Sequence, residues 1–239
     1  MTGARVGALL IVALLVSVVA AVALAPHATT RQASQRERPR LLLLTSLPLM
    51  FGEDFSLRQG GSPALSALEK RYSVVPISVS DPQELAKGRL LLMAQPLAQP
   101  AEDLVALDRW VRDGGRLLLL ADPMLEWPSE RPLGDRLRPP AMFMDTGLLA
   151  HWGLRLDAPD ERGPETTTLG GFQVMTVSPG KLFGGCAISN DRLVARCSIG
   201  RGRATVVADA DLLDTQHLDG PAAHNLDAVV AELAQLQRS

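Results

Sequence analysis

Leu41-Leu42-Leu43-Leu44, Leu90-Leu91-Leu92-Met93 and Leu117-Leu118-Leu119-Leu120 are short unbroken apolar runs, each bounded by polar or turn-forming residues. A run of that length without polar alternation is the pattern of a strand covered on both faces, as in a parallel sheet packed between helices. Val74 to Val79 and Ala204 to Ala208 read as further strands. The segments between them carry helix-start chemistry. Ser62-Pro63 offers an N-cap followed by proline at the first helical position, with Leu65, Leu68 and Tyr72 sharing one face. Asp81-Pro82-Gln83-Glu84 offers another start, with Glu84 placed to reach back as in a capping box. A helix over about Pro100 to Asp113 has Glu102 and Asp103 in its first turn and a buried stripe of Leu104, Leu107, Trp110 and Val111, and Gly114-Gly115 ends it. Strands and helices alternating through short connections predict an α/β fold, a mostly parallel sheet flanked by helices with right-handed crossovers.

The rhythm breaks at residues 123 to 144, where Pro123, Pro128, Pro132, Pro139 and Pro140 mark a long surface loop or insertion. Asp145 to Trp152 reads as a short helix. From Leu154 to Ala208 strand-like segments alternate with glycine-rich turns, so a β-rich, antiparallel extension is expected in the C-terminal half. A last helix over about Pro221 to Leu236 turns Leu226, Val229, Val230, Leu233 and Leu236 inward.

Ahead of this domain, Val6 to Ala25 is apolar except for Gly7 and Ser17, and at about 1.5 Å per residue its length matches the hydrocarbon core of a bilayer. It reads as a transmembrane anchor through residues 6–25; a cleaved signal, with Ala23-Leu24-Ala25 as the cleavage pattern, and a buried helix are the competing readings. Residues 26–39 form a polar linker, and residues 40–239 a single domain. Arg31, Arg36, Arg38 and Arg40 outnumber Arg5 across the segment, which by the positive-inside rule leaves the domain in the cytoplasm. Cys186 and Cys197 point the other way. A four-residue loop from Asn190 to Leu193 sets them directly opposite on two strands, within reach of a disulfide, whereas a two-residue turn would set them diagonally; two buried free thiols are the other reading. A pair of cysteines with no others fits an oxidising compartment, so the expectation is a single-pass inner (cytoplasmic) membrane protein with a periplasmic domain.

The formal charge of −2 predicts no strong pull toward nucleic acid or anionic lipid, and aromatics at 4% leave few stacking platforms for single strands. No G-x-S-x-G elbow occurs at Gly60-Gly61-Ser62 or Ser178-Pro179-Gly180. Gly200-Arg201-Gly202-Arg203 precedes a strand, not the helix a phosphate loop requires. Asp209, Asp211, Asp214, His217, Asp219 and His224 gather acids and imidazoles, but in none of the compact metal-binding spacings, so neither a metal nor a cofactor is expected. Ligands of open parallel sheets collect beyond the carboxyl ends of the strands. The candidate ligand or partner crevice is therefore Phe51, Asp54, Gln95, Asp122, Trp127 and Asp209, without a catalytic role.

Leu107-Asp108-Arg109-Trp110-Val111-Arg112-Asp113-Gly114-Gly115-Arg116-Leu117-Leu118-Leu119-Leu120-Ala121-Asp122-Pro123 resembles the auxiliary component of gliding-motility-type ABC transporters. Gly200 to Leu213 is similar to that family's closing strand and to related membrane-tethered domains, and Asn225 matches an Asn common there. The resemblance covers roughly residues 40 to 236. It implies a fold like that of class I glutamine amidotransferases, used for binding, with ABC permease and ATPase subunits as partners. True amidotransferases carry a nucleophilic Cys on the turn after a central strand; here that turn reads Gln95-Pro96-Leu97-Ala98-Gln99. The expectation is thus a membrane-anchored, non-catalytic accessory domain, not an enzyme. The alternatives are a small-ligand sensing module and an amidohydrolase-like enzyme using the acidic strand ends.

Overall fold

The computed structural model describes residues 38–51, 61–218 and 222–238. The apolar run Val6 to Ala25 lies outside the described residues, as does Asp54 of the candidate crevice. No helix among the described residues is long and apolar enough to cross a membrane.

The first half runs β1 (Arg40–Thr45), α1 (Pro63–Glu69), β2 (Ser73–Pro76), α2 (Pro82–Leu85), β3 (Leu90–Ala94), α3 (Ala101–Arg112) and β4 (Arg116–Leu120). The second half adds α4 (Leu148–His151), β5 (Leu154–Asp157), β6 (Pro164–Leu169), β7 (Phe172–Val177), β8 (Lys181–Gly184), β9 (Ala187–Ile188), β10 (Val194–Ile199), β11 (Gly202–Val207) and α5 (Asn225–Arg238). Among the described residues the main sheet has seven strands in the order β2-β1-β3-β4-β11-β10-β9. The pairs from β2 to β11 are parallel, and β10 returns antiparallel against β11 and β9. This is a mixed α/β fold with a mostly parallel sheet. Two antiparallel pairs, β5 with β8 and β6 with β7, complete the β-rich second half.

Helices on both faces explain the unbroken apolar runs: Leu41, Leu42, Leu91, Leu92 and Leu117 to Leu120 are all 0% exposed. At roughly 1.5–3 kcal/mol for each buried leucine, these strands supply much of the driving force for folding. Ser62 Oγ accepts from Leu65 N–H at 3.1 Å, and Asp81 Oδ1 accepts from Glu84 N–H at 2.7 Å. Glu84 does not close a capping box; its carboxylate pairs with Lys87. In α3, Leu107 and Val111 are fully buried, whereas Leu104 and Trp110 pack against the core half-buried. Gly114 leaves that helix at φ +107°, which a side chain would strain. A Cβ on Gly202 would overlap the Val111 carbonyl oxygen, so β11 packs against the end of α3 only because that residue has no side chain.

Three expected elements differ. β2 stops at Pro76 instead of reaching Val79, with one further bond to β1 from Ile77 N–H to Leu43 O at 2.9 Å. The helix expected over Asp145 to Trp152 shortens to α4, with Asp145 Oδ1 accepting from Gly147 N–H at 3.0 Å and Leu149 N–H at 3.2 Å. The last helix begins at Asn225, after a 3₁₀ turn at Ala222–His224, and buries Asn225 and Glu232 along with Val229, Leu233 and Leu236. Leu226 and Val230 are only half-buried. Glu232 is reachable from the sheet by Arg196, which forms an ion pair with it.

The β9–β10 register, Arg196 against Ala187, sets Cys197 opposite Cys186 across a loop from Asn190 to Leu193. The two cysteines are joined as a disulfide, with Cα atoms 4.9 Å apart.

Candidate functional site

Four strands of the main sheet end at one edge with polar residues at or just beyond their tips: Thr45-Ser46 at the end of β1, Gln95 after β3, Asp122 after β4 and Asp209 after β11. These side chains bond to backbone, strand to strand. Thr45 Oγ1 donates to Ala94 O at 2.8 Å, and Ser46 Oγ donates to Gln95 O. Gln95 is fully buried and has φ +42°, rare for a residue with a side chain. Its carboxamide brackets the Asp122 peptide: Oε1 accepts from Asp122 N–H at 3.0 Å, and Nε2 donates to Asp122 O and Pro140 O, each at 3.1 Å. The Asp122 carboxylate accepts from Met124 N–H at 2.8 Å and Ala210 N–H at 2.9 Å.

The seam continues past β11. Asp209 accepts from Leu212 N–H at 2.8 Å and from Val177 N–H at 2.9 Å, which ties the end of β7 to the main sheet. Asp211 Oδ2 accepts from Glu126 N–H at 2.8 Å, holding the proline-rich segment. Asn225 accepts from Met175 N–H at 2.9 Å and donates to Met175 O at 2.8 Å and Leu212 O at 3.0 Å. Buried polar groups cost free energy unless bonded, and here side chains at the ends of four strands, together with Asn225, satisfy the backbone where regular pairing stops.

Three carboxyls crowd this edge. Burial is the main cause that pushes Asp122 up to about 6, opposed by the N–H groups of Ala210, Met124 and Asp211 and reinforced by Glu126. Burial, followed by the charge of Asp122, pushes Asp211 up to about 7. Asp209 is raised well above its ordinary range by burial and by the charges of Asp122 and Asp211. Near neutral pH, the edge therefore holds acids that exchange protons, a property useful in catalysis but also arising from purely structural burial. Among the described residues no group of three or more His, Cys, Asp or Glu side chains is arranged to hold a metal.

The structure brings Gln95, Asp122 and Asp209 together in this seam. Trp127 lies half-buried against the core, Phe51 is half-exposed, and Asp54 lies outside the described residues. Sequence reasoning did not single out Ser46, and it weighed Ser178-Pro179-Gly180 only as a nucleophile elbow, which it rejected. Ser178 has φ +48°; its hydroxyl donates to Glu126 and accepts from Gly163 N–H at 2.9 Å. The only sequence signal for it is a serine followed by Pro179-Gly180 at the end of β7.

No protein-family model matches the sequence, and no curated protein matches it. Solved structures do resemble the fold. A cytoplasmic protein from Salmonella typhimurium LT2 is 12% identical, with 82% of this chain and 99% of that chain covered and a TM-score of 0.51. A β-galactosidase from Rahnella sp. R3 is 13% identical, with 84% of this chain and 31% of that chain covered and a TM-score of 0.50. A ThuA-like protein from Bacteroides uniformis ATCC 8492 is 10% identical over 82% of this chain and 91% of that one, with a TM-score of 0.43. The chain spans about a third of the length of the glycosidases it matches.

These neighbours correct the expectation that the chain is not an enzyme. The fold recurs in about a third of the Rahnella β-galactosidase, so it does not set this chain apart from enzymes. The exclusion rested on missing Ser and Cys nucleophiles, whereas glycoside hydrolysis works through paired carboxyl groups and needs neither.

Proposed function

We propose that this chain is a membrane-anchored accessory domain of an ABC-type transport system, with a class I glutamine amidotransferase-like architecture that serves as an interaction platform. The observation that carries the reading is the seam: Ser46, Gln95, Asp122 and Asp209 direct their polar atoms to the chain's own backbone. An edge closed in this way holds the connecting loops in fixed positions, which is what a docking surface requires. The amidotransferase-like architecture is supported by the parallel order β2-β1-β3-β4 and by the positive φ of Gln95 on the turn after β3. Residues 6–25 supply the anchor, and the Cys186–Cys197 disulfide fits a periplasmic location at the inner membrane. Detergent extraction of the full chain followed by affinity purification tests the reading. ATPase and permease subunits co-eluting support it; a preparation without partners contradicts it.

A second reading, an amidohydrolase-like or glycoside-cleaving enzyme, is favoured by Asp122 and Asp211, whose raised values of about 6 and about 7 suit proton transfer near neutral pH. Its test is turnover of chromogenic amide and β-galactoside substrates. Activity abolished by Asp122→Ala in a folded protein supports it, and no turnover on either substrate class counts against it.

A further inference from the structure

A groove of about 550 Å³ opens outside the seam, walled by residues 159–165, 179–181 and 190–193. Its size falls within the range of small-molecule sites. Both signs of charge line it, and part of that charge is already used. Asp160 pairs with Lys181. Asp191 accepts from Ser189 and Thr167 and from Leu193 N–H at 3.1 Å, which anchors the β9–β10 loop. Glu161, Arg162, Glu165 and Arg192 remain, and among the described residues none of their side chains forms a hydrogen bond or ion pair.

Arg192 is held in place from two directions. Its backbone has φ +62°, fixed by Arg192 N–H donating to Ser189 O at 2.9 Å and Leu182 N–H donating to Arg192 O at 2.8 Å. Its guanidinium lies over the Phe183 ring, with Cζ 4.3 Å from the centroid. Arg155 covers the same ring at 4.7 Å but is paired with Asp157. A stacked guanidinium keeps its plane and leaves its N–H edge open, the arrangement that receives a carboxylate through two hydrogen bonds.

A simple anion entering the groove would meet Glu161 and Glu165, and a simple cation would meet Arg162 and Arg192. A ligand with both charges satisfies both sets. We infer that the groove binds a small zwitterion of the short-peptide class, its carboxylate on Arg192 and its ammonium on Glu161 and Glu165. This site is separate from the accessory-domain reading, and either can fail without the other.

Isothermal calorimetry on the detergent-solubilised full chain tests it, with the dipeptide alanyl-alanine, its N-acetyl form and its C-terminal amide as probes. The free dipeptide is expected to bind at least about tenfold more tightly than either blocked form. Arg192→Asn, which tolerates the left-handed backbone, is expected to lose about tenfold for the free dipeptide and to leave the amide unchanged. The double variant Glu161→Gln with Glu165→Gln is expected to remove the preference over the N-acetyl form. Three results would overturn the inference: no binding of any probe, blocked probes binding as well as the free dipeptide, or wild-type affinity in folded Arg192→Asn.

Discussion

Replacing Asp211 with Asn removes one of three crowded carboxyls while keeping its hydrogen bond. Asp211 uses one oxygen, Oδ2, to accept from Glu126 N–H at 2.8 Å, and a carboxamide oxygen can do the same. Its pKa is raised from 3.8 to about 7 in the folded protein by burial, by Asp122, and by Glu126 and Asp214. A group raised in this way favours folding fully below its unfolded value, near 4, and loses that contribution as pH climbs through about 7. The gap of roughly three pH units corresponds to about 4 kcal/mol as an upper limit. Replacing a charged acceptor with a neutral one gives back about 1 kcal/mol, so the net gain expected for Asp211→Asn at about pH 8 is roughly 2–3 kcal/mol. At about pH 3 variant and wild type should agree within about 0.5 kcal/mol, because there the Asp211 carboxyl is neutral in both the folded and the unfolded chain. Urea titrations of both proteins at the two pH values give the comparison. Destabilisation by Asp211→Asn at the higher pH, or a difference independent of pH, would refute the account of this cluster.

Asn225→Ala leaves three buried backbone groups of Met175 and Leu212 without their partner; a loss of about 3 kcal/mol is expected in urea unfolding, and less than about 1 kcal/mol would show the links to be incidental. Arg196→Ala strands the fully buried Glu232 carboxylate and should cost about 3–5 kcal/mol, whereas Arg196→Met with Glu232→Leu should be near neutral, both read from unfolding midpoints. Reducing the Cys186–Cys197 bond, which spans 11 residues, should lower stability by roughly 2–3 kcal/mol, detectable as a fall in the unfolding midpoint on adding dithiothreitol.

The sequence revealed the elements whose signals are local. Leu41 to Leu44 and Leu117 to Leu120 read as strands buried on both faces because nothing polar interrupts them, and Ser62-Pro63 and Asp81-Pro82 carry helix starts in their side chains. Gln95, Asp122 and Asp209 were recognisable as strand-tip residues, but not the direction of their polar atoms. That direction depends on partners far along the chain: Ala210 lies 88 residues from Asp122, and Met175 lies 50 from Asn225. Glu232 illustrates the same limit: the inward set read from the sequence left it out, because nothing local reveals the Arg196 that makes a buried charge tolerable there. The groove was invisible for a related reason, its walls coming from separate loops and from the first residues of β6 and β8.

Native-state hydrogen exchange tests the sewn edge most directly. The amides of Met175, Val177, Ala210 and Leu212 donate to Asn225, Asp209 and Asp122. They should exchange as slowly as the amides of the central strands, opening only with the whole domain. Exchange at the rate of exposed loops would mean that this edge is open, and the platform would lose its physical basis.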